Sequence, residues 1–255
     1  MSISTEDELA GMQAAADLVA LVLRKMRAQA RAGLSTKALD EFGGALLKTH
    51  GGNSAPMVTY NFPGHTCISL NEEMAHGIPA HDRLLNEGDL VNIDVSAELN
   101  GFWADNGCSF VIGKDIHGHQ PLVNASQSIL MKAIAKISAG VKISDIGYLI
   151  EKEAKKYGYQ VIRNLAGHGV GRSLHEAPAN ILNFGVNDNE QIFEANTTVA
   201  IETFIATHSV MAVEEEDGWT LTGNMGGFTC QHEHTIMVTE GAPLILTHGN
   251  GIEKI

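Results

Sequence analysis

The strongest constraint on this chain comes from two acids that flank a tight turn. Asp94 lies inside the apolar run 91–95, and Asp105 follows the dipeptide Asn100-Gly101, which is the strongest short-range signal for a β-hairpin. With this dipeptide as the turn, Asp94 pairs with Gly107. Asp105 then lies diagonally from Asp94 on the same sheet face, roughly 7–8 Å away at Cα. Two ionised acids this close in a half-buried sheet repel each other, so we expect a cation between them unless the face is solvated.

Composition limits the class of protein. The 255 residues are 44% hydrophobic and 18% charged, which is typical of a globular chain, and we expect one domain over residues 1–255. A formal net charge of −13 argues against binding nucleic acid or an anionic membrane through a basic face. The three cysteines form no CxxC motif, and the N-terminus is acidic where a signal peptide is basic. We therefore expect a cytoplasmic protein with reduced thiols and no membrane span.

Helical periodicity predicts two pairs of helices. The predicted helices cover residues 9–31, 35–47, 122–138 and 146–156. Ser35 and Ser144 are the expected N-caps of the second and fourth helices. Each pair precedes a strand that carries an acid, at residues 90–95 and 198–205. This repetition predicts two similar halves that face one another, with a site at their interface.

Four acids in apolar, strand-like surroundings and one histidine between glycines are candidate metal ligands. They are Asp94, Asp105, His168, Glu202 and Glu233. Four carboxylates and one imidazole suit divalent ions of intermediate hardness, such as Mn²⁺, Fe²⁺, Co²⁺ or Zn²⁺. Two ions about 3.5–4 Å apart would also relieve the repulsion within the hairpin. A solvated strand face explains any one of these acids equally well, but it explains all four together poorly.

Other catalytic motifs fail in detail. The glycine-rich run 167–171 is not G-x-G-x-x-G, because Arg172 takes the place of the third glycine, and this argues against a dinucleotide loop. The sequence has no H-E-x-x-H motif and no G-x-S-x-G elbow. His76 and His175 stand out among the remaining histidines, because each lies in a loop of small residues that a substrate can approach.

Six short motifs follow one another in a characteristic order. They are Asn71-Glu72, His76–Pro79, Gly88–Val95, Gly167–Arg172, Leu174–Glu176 and Glu233–Thr235. Together they resemble the motifs of type I methionine aminopeptidases, over nearly the whole chain and without a large insertion. The resemblance implies the pita-bread fold. This is an α/β (α+β) architecture in which two pseudo-symmetric halves form a curved antiparallel sheet covered by helices.

The resemblance also implies a metal-dependent enzyme that removes the N-terminal methionine from peptides and nascent proteins. Its two divalent ions would map onto the five residues named above, and Glu202 would take and pass on the proton of the attacking water. His175 would stabilise the oxyanion, and His76 would contact the scissile amide. The implied partners are N-terminal peptides and, transiently, the ribosome. We expect a monomer.

The resemblance places a methionine pocket at six positions. The matching residues are Pro56, Thr59, Phe62, Cys67, Leu174 and Trp219. Thr59 and Leu174 are smaller than the aromatic residues of the family, which predicts a wider pocket and weaker selectivity for methionine. Thr203 follows Glu202 where the family has proline, which predicts an altered backbone after the proposed base.

Two alternatives remain open. One is another pita-bread metallopeptidase, such as an Xaa-Pro aminopeptidase, although those enzymes typically carry an extra N-terminal domain for which this chain has no room. The other is a non-catalytic peptide-binding relative, although such relatives typically lack metal ligands that are all present here.

Overall fold

The computed structural model describes residues 1–252, in which five helices and thirteen strands are found. The helices are α1 (Glu6–Gln29), α2 (Thr36–Thr49), α3 (Ala55–Tyr60), α4 (Gln120–Ile134) and α5 (Ile143–Lys156). The strands are β1 (Asn53–Ser54), β2 (Cys67–Leu70), β3 (Glu73–Ala75), β4 (Leu90–Leu99), β5 (Phe102–Val111), β6 (Gln160–Val161), β7 (Ala166–Gly169), β8 (Glu176–Leu182), β9 (Thr198–Ala206), β10 (Ala212–Glu214), β11 (Leu221–Gly223), β12 (Thr229–Met237) and β13 (Leu244–Ile245).

Ten of these strands form one antiparallel sheet, in which the two halves of the chain meet at the β5–β12 junction. The order is β1-β4-β5-β12-β9-β7-β8, while β2 joins β4, β6 joins β9 and β13 joins β12. Helix α1 lies against β4 and β5, and α4 lies against β9 and β12. Each half therefore has helices followed by paired strands, and the predicted α/β architecture is confirmed.

The helices cover the sheet through apolar stripes. Met12, Val19, Leu23 and Met26 lie on one side of α1 at helical spacing, and all four are buried in the core beneath the helix. This burial explains why so long a helix stays on the sheet rather than projecting into solvent. No helix within residues 1–252 is long and apolar enough to cross a bilayer.

Side-chain caps explain most helix starts. Ser35 Oγ accepts a hydrogen bond from the backbone N–H of Ala38 at 3.1 Å, so α2 begins where predicted. The predicted cap of α5 is wrong, because the helix begins at Ile143 and Ser144 lies inside its first turn. Ser144 Oγ instead donates to the carbonyl of Val186 at 2.8 Å, which ties the helix to a distant loop.

The β4–β5 hairpin has the register predicted from the sequence. Asn100 and Gly101 form its turn with φ values of 53° and 81°. Asp94 pairs with Gly107, and Asp105 pairs with Ser96, two residues further along β4. The two acids are therefore diagonal neighbours on one face of the sheet.

We expect Gly101→Ala to destabilise the fold through backbone strain alone. An added Cβ at Gly101 meets no atom closer than Arg172 Nη1 at 3.9 Å, but an L side chain is strained at φ 81°. The free energy of unfolding in urea should fall by about 1–2 kcal/mol. The matched control is Gly241→Ala, where an added Cβ meets nothing within 4 Å and the backbone is not left-handed. Equal losses in both variants would contradict a turn that depends on its left-handed conformation.

Candidate active site

Five side chains from five different strands line one cavity of about 380 Å³. They are Asp94 on β4, Asp105 on β5, His168 on β7, Glu202 on β9 and Glu233 on β12. Glu202 and Glu233 are direct register partners, and His168 pairs with Ala200, two residues before Glu202. Because residues two apart on a strand share a face, the antiparallel register brings all five groups together. The structure thus places the five predicted ligands side by side where the two halves meet.

Three of the five approach closely enough to share one ion. Asp105, His168 and Glu233 each offer a donor atom, and these atoms lie within 4.8 Å of one another. His168 Nδ1 lies 3.0 Å from the carbonyl oxygen of Gly169, so Nδ1 carries the proton. Nε2 keeps its lone pair and lies 3.9 Å from Asp105 Oδ2. Metal-binding histidines typically donate their other ring N–H to a carbonyl or carboxylate, which fixes the tautomer in this way.

Burial opposes the ionisation of the four carboxyl groups. Burial and then the charge of Asp105 raise the pKa of Glu202 to about 8, while burial raises the pKa of Asp105 to about 6. The pKa values of Asp94 and Glu233 are also raised well above the usual range, first by burial and then by the neighbouring acids. Burial lowers the pKa of His168 to about 4, so its ring is neutral. Only a bound cation allows all four acids to be ionised at neutral pH.

Two carboxylate oxygens in the cavity wall lack a hydrogen-bond partner among the described residues. They are Asp105 Oδ1 and Glu233 Oε1, whose side chains belong to residues only 6% and 1% exposed. Leaving a buried acceptor unpaired costs about 1–3 kcal/mol, and more for a charged one. Oxygen donors of this kind together with one imidazole fit a divalent ion of intermediate hardness. The residues present therefore fit a metal centre.

Gln231 orients the Glu233 carboxylate, a role that no motif in the sequence indicates. Gln231 Nε2 donates to Glu233 Oε2 at 3.0 Å, and Asn92 Nδ2 donates to Gln231 Oε1 at 2.8 Å, which fixes the direction of the amide. Gly107 leaves room for this amide, because a Cβ there would lie 2.3 Å from Gln231 Oε1. Gln231 precedes Glu233 by two residues on a strand, so side-chain alternation was the signal that could have found it.

The two predicted catalytic histidines lie in the same cavity. His76 adopts a left-handed φ of 54° in the turn before Gly77, where a Cβ would clash with the carbonyl oxygen of Ile68. The ring of His175 lies 4.0 Å from the ring of His168, measured between centroids. Burial lowers the pKa values of both His76 and His175, so neutral rings face the cavity.

The apolar wall of the cavity follows the predicted pocket at five of six positions. Pro56, Phe62, Cys67, Leu174 and Trp219 line it. The rings of Phe62 and Trp219 pack edge to face, 5.2 Å apart. Thr59 does not line the cavity and is exposed on α3, whereas the next residue, Tyr60, does line it. The helix ends at Tyr60 because Asn61 adopts a left-handed φ of 57°, which sets the directions of these side chains.

We expect the metal-free protein to become less stable as the pH rises from about 4.5 to about 8. Glu202 has an unperturbed pKa of 4.5 and a folded-state pKa of about 8, so between these values the folded chain holds a proton that the unfolded chain releases. Raising the pH therefore favours unfolding. Urea titrations with EDTA across this range should show the fall, and Glu202→Gln should make it shallower, with the remainder due to Asp94, Asp105 and Glu233. The exposed Glu240→Gln is the control and should keep the full slope. An unchanged slope in Glu202→Gln would contradict this account.

The chain is similar in sequence to known metallopeptidases. The model of metallopeptidase family M24 matches residues 10–240. The chain is 42% identical over 247 residues to methionine aminopeptidase 2 of Bacillus subtilis, and the alignment covers 97% of this chain and 99% of that protein.

Solved structures agree on the fold. The crystal structure of methionine aminopeptidase from Thermotoga maritima has a TM-score of 0.92 and 32% identity, covering 97% of this chain and 99% of that chain. Prolidase from Pyrococcus furiosus has a TM-score of 0.76 and 20% identity over 96% of this chain and 65% of that one, which shows a shared fold alone. The predicted pita-bread fold is confirmed, and the chain belongs to metallopeptidase family M24.

Proposed function

We propose that this chain is a metal-dependent aminopeptidase that removes the N-terminal methionine from peptides and nascent proteins. The observation that carries the proposal is the convergence of five metal-donor side chains from five strands beside an apolar pocket. The M24 family match and the 42% identity to a methionine aminopeptidase support the same activity. We assign the whole chain, residues 1–255, to one catalytic domain, because both halves contribute to this cavity.

The proposed ligands are Asp94, Asp105, His168, Glu202 and Glu233, which would hold two divalent ions chosen from Mn²⁺, Fe²⁺, Co²⁺ and Zn²⁺. Such ions neutralise clustered acids, polarise a carbonyl and lower the pKa of water to near neutrality. The unpartnered oxygens of Asp105 and Glu233 support this assignment, because ligation would satisfy them.

The remaining chemistry falls to three side chains of the cavity. Glu202 would accept the proton of the attacking water and return it to the leaving amine, as a general base that becomes a general acid. His175 would donate a hydrogen bond to the oxygen of the scissile carbonyl as negative charge develops there. His76 would contact the amide of the same peptide bond. Their neutral rings are suited to hydrogen bonding without adding charge beside a cationic centre.

The apolar wall would hold the methionine side chain. Phe62 and Trp219 offer ring faces and edges, and sulfur makes favourable contacts with aromatic rings. Cys67 and Leu174 complete a wall without charge. A long, unbranched apolar side chain such as methionine fits such a surface better than a charged or short one.

The charge and the cysteines of the chain bear on where it works and what it meets. We propose a monomer in the cytoplasm that meets nascent chains in transient proximity to the ribosome. The net charge of −13 opposes direct binding to ribosomal RNA, so any such encounter would be brief or mediated by protein. The three cysteines described in the structure are free and buried, as expected in a reducing compartment.

The activity is tested with peptides of different N-termini. Protein reconstituted separately with Mn²⁺, Fe²⁺, Co²⁺ or Zn²⁺ should release methionine from Met-Ala-Ser and leave Ala-Pro-Ala intact. Free amino acids are measured by chromatography. Preference for Ala-Pro-Ala would instead establish an Xaa-Pro peptidase. Binding of peptides without hydrolysis under every metal would establish a non-catalytic relative.

A ligand variant serves as the internal control of this experiment. Asp94→Asn should lower kcat/KM at least about 100-fold, because losing a ligand costs more than losing a group that supports one. Asp82→Asn removes an exposed carboxylate and should keep full activity. Circular dichroism verifies that both variants fold. Full activity in Asp94→Asn would refute the proposed site.

We expect Gln231→Leu to weaken metal binding without abolishing it. Loss of the hydrogen bond from Gln231 Nε2 frees the Glu233 carboxylate to rotate and removes a donor that favours its ionised form. Groups that support ligands typically contribute 10–100-fold to affinity, so titration calorimetry with Mn²⁺ should show a loss of about this size. Gln191→Leu replaces an exposed glutamine and should bind Mn²⁺ normally. Equal affinity in both variants would contradict an orienting role for Gln231.

A further inference from the structure

Tyr60 lies at the edge of the cavity, where none of the proposed catalytic steps uses it. It is the last residue of α3 and is 45% exposed. Asn61 reverses the chain in a left-handed conformation. The following residue, Phe62, is buried in the cavity wall, with only 2% of its surface exposed. The tyrosine ring is therefore held between a helix end and a buried anchor, with its hydroxyl directed at a histidine.

The hydroxyl of Tyr60 forms a hydrogen bond with a ring nitrogen of His175. The oxygen lies 2.7 Å from His175 Nδ1, and the two ring centroids are 5.8 Å apart. The His175 ring also lies close to the ring of His168, with 4.0 Å between the ring centroids. The imidazole thus contacts two rings, and its Nδ1 is already occupied by the Tyr60 hydroxyl. Nε2 is the nitrogen that remains for a ligand.

The chemistry of the pair favours one direction for this hydrogen bond. A neutral imidazole has one protonated and one unprotonated nitrogen, and either can be Nδ1. A phenol is the more acidic donor of the two groups, and an unprotonated imidazole nitrogen is the better acceptor. When the hydroxyl of Tyr60 donates to Nδ1, the proton of a neutral His175 ring lies on Nε2.

We propose that Tyr60 is a positioning residue that holds His175 in the Nε2–H tautomer, as a hydrogen-bond donor toward the substrate carbonyl. This inference rests on the proposed peptidase function, since it assigns His175 the carbonyl of the scissile bond. Without the phenol, the ring can adopt the Nδ1–H tautomer, which presents an acceptor lone pair to the carbonyl oxygen and repels it. Tyr60 thereby acts on the reaction through His175 rather than by touching the reacting atoms.

Kinetics of Tyr60→Phe test this role, because the variant keeps the ring and loses only the hydroxyl. With Met-Ala-Ser and metal-loaded protein, kcat should fall about tenfold while KM stays within about twofold, since the lost interaction acts on developing charge. Tyr148→Phe, which removes an exposed hydroxyl on α5, is the matched control and should match the unmodified protein. A raised KM with unchanged kcat would make Tyr60 a wall of the substrate pocket only. Unchanged kcat and KM would overturn the proposal as well.

The tautomer itself is measured without any reaction. In protein labelled with ¹⁵N-histidine, metal-free and loaded with Zn²⁺, the His175 nitrogens are assigned by comparison with His175→Gln. We expect an unprotonated Nδ1 and a protonated Nε2, and a mixture of tautomers in Tyr60→Phe. A protonated Nδ1 in the unmodified protein would overturn the proposal. If no peptide is hydrolysed, the proposed function fails, while this measurement still decides what Tyr60 does to His175.

Discussion

Four carboxyl groups that repel one another are enclosed in one cavity, and the fold holds them together against that repulsion. Asp94, Asp105, Glu202 and Glu233 come from four strands of a single sheet, and burial raises the pKa of each. Such a cluster cannot be ionised without a compensating cation. Apolar helices pack against the opposite side of the sheet. The burial of apolar surface there stabilises the sheet and so keeps the acids together. The affinity for metal is therefore built into the fold before any ion arrives.

The junction between the halves shows how the sheet makes room for the site. Only one register pair, His232 with Cys108, joins β12 to β5 within the described residues. Side chains supply other links: Ser109 Oγ accepts from Gln231 N at 3.0 Å and donates to Gln231 O at 3.1 Å. Thr235 Oγ1 likewise bridges the N–H and carbonyl of Asp105, at 3.0 and 2.7 Å. Hydroxyl groups placed between two backbones keep the strands joined where a regular ladder is interrupted, close to the acids that line the cavity.

The parts of the site that follow from local rules could be predicted from the sequence. The hairpin register follows from Asn100-Gly101 and from the alternation of strand side chains, so the Asp94–Asp105 diagonal was found. The start of α5 could not be predicted in this way. Ser144 Oγ donates a hydrogen bond to the carbonyl of Val186, 42 residues away, and no local pattern reveals such a partner. Thr203 stands where the resemblance implies proline. Strand β9 continues regularly through Thr203, which pairs with His232 on β12.

The position of Tyr60 changes what the substitutions in the pocket mean. A wider pocket was expected because Thr59 and Leu174 are small, on the assumption that Thr59 faces the substrate. In the structure Thr59 points to solvent, and the neighbouring aromatic residue lines the cavity instead. An aromatic ring is therefore retained at this edge, displaced by one residue and anchored to His175. Of the two small residues, only Leu174 remains as a source of extra space. In the proposed function, the Tyr60 ring would border the methionine side chain and also orient His175, which would couple the shape of the pocket to the chemistry beside it.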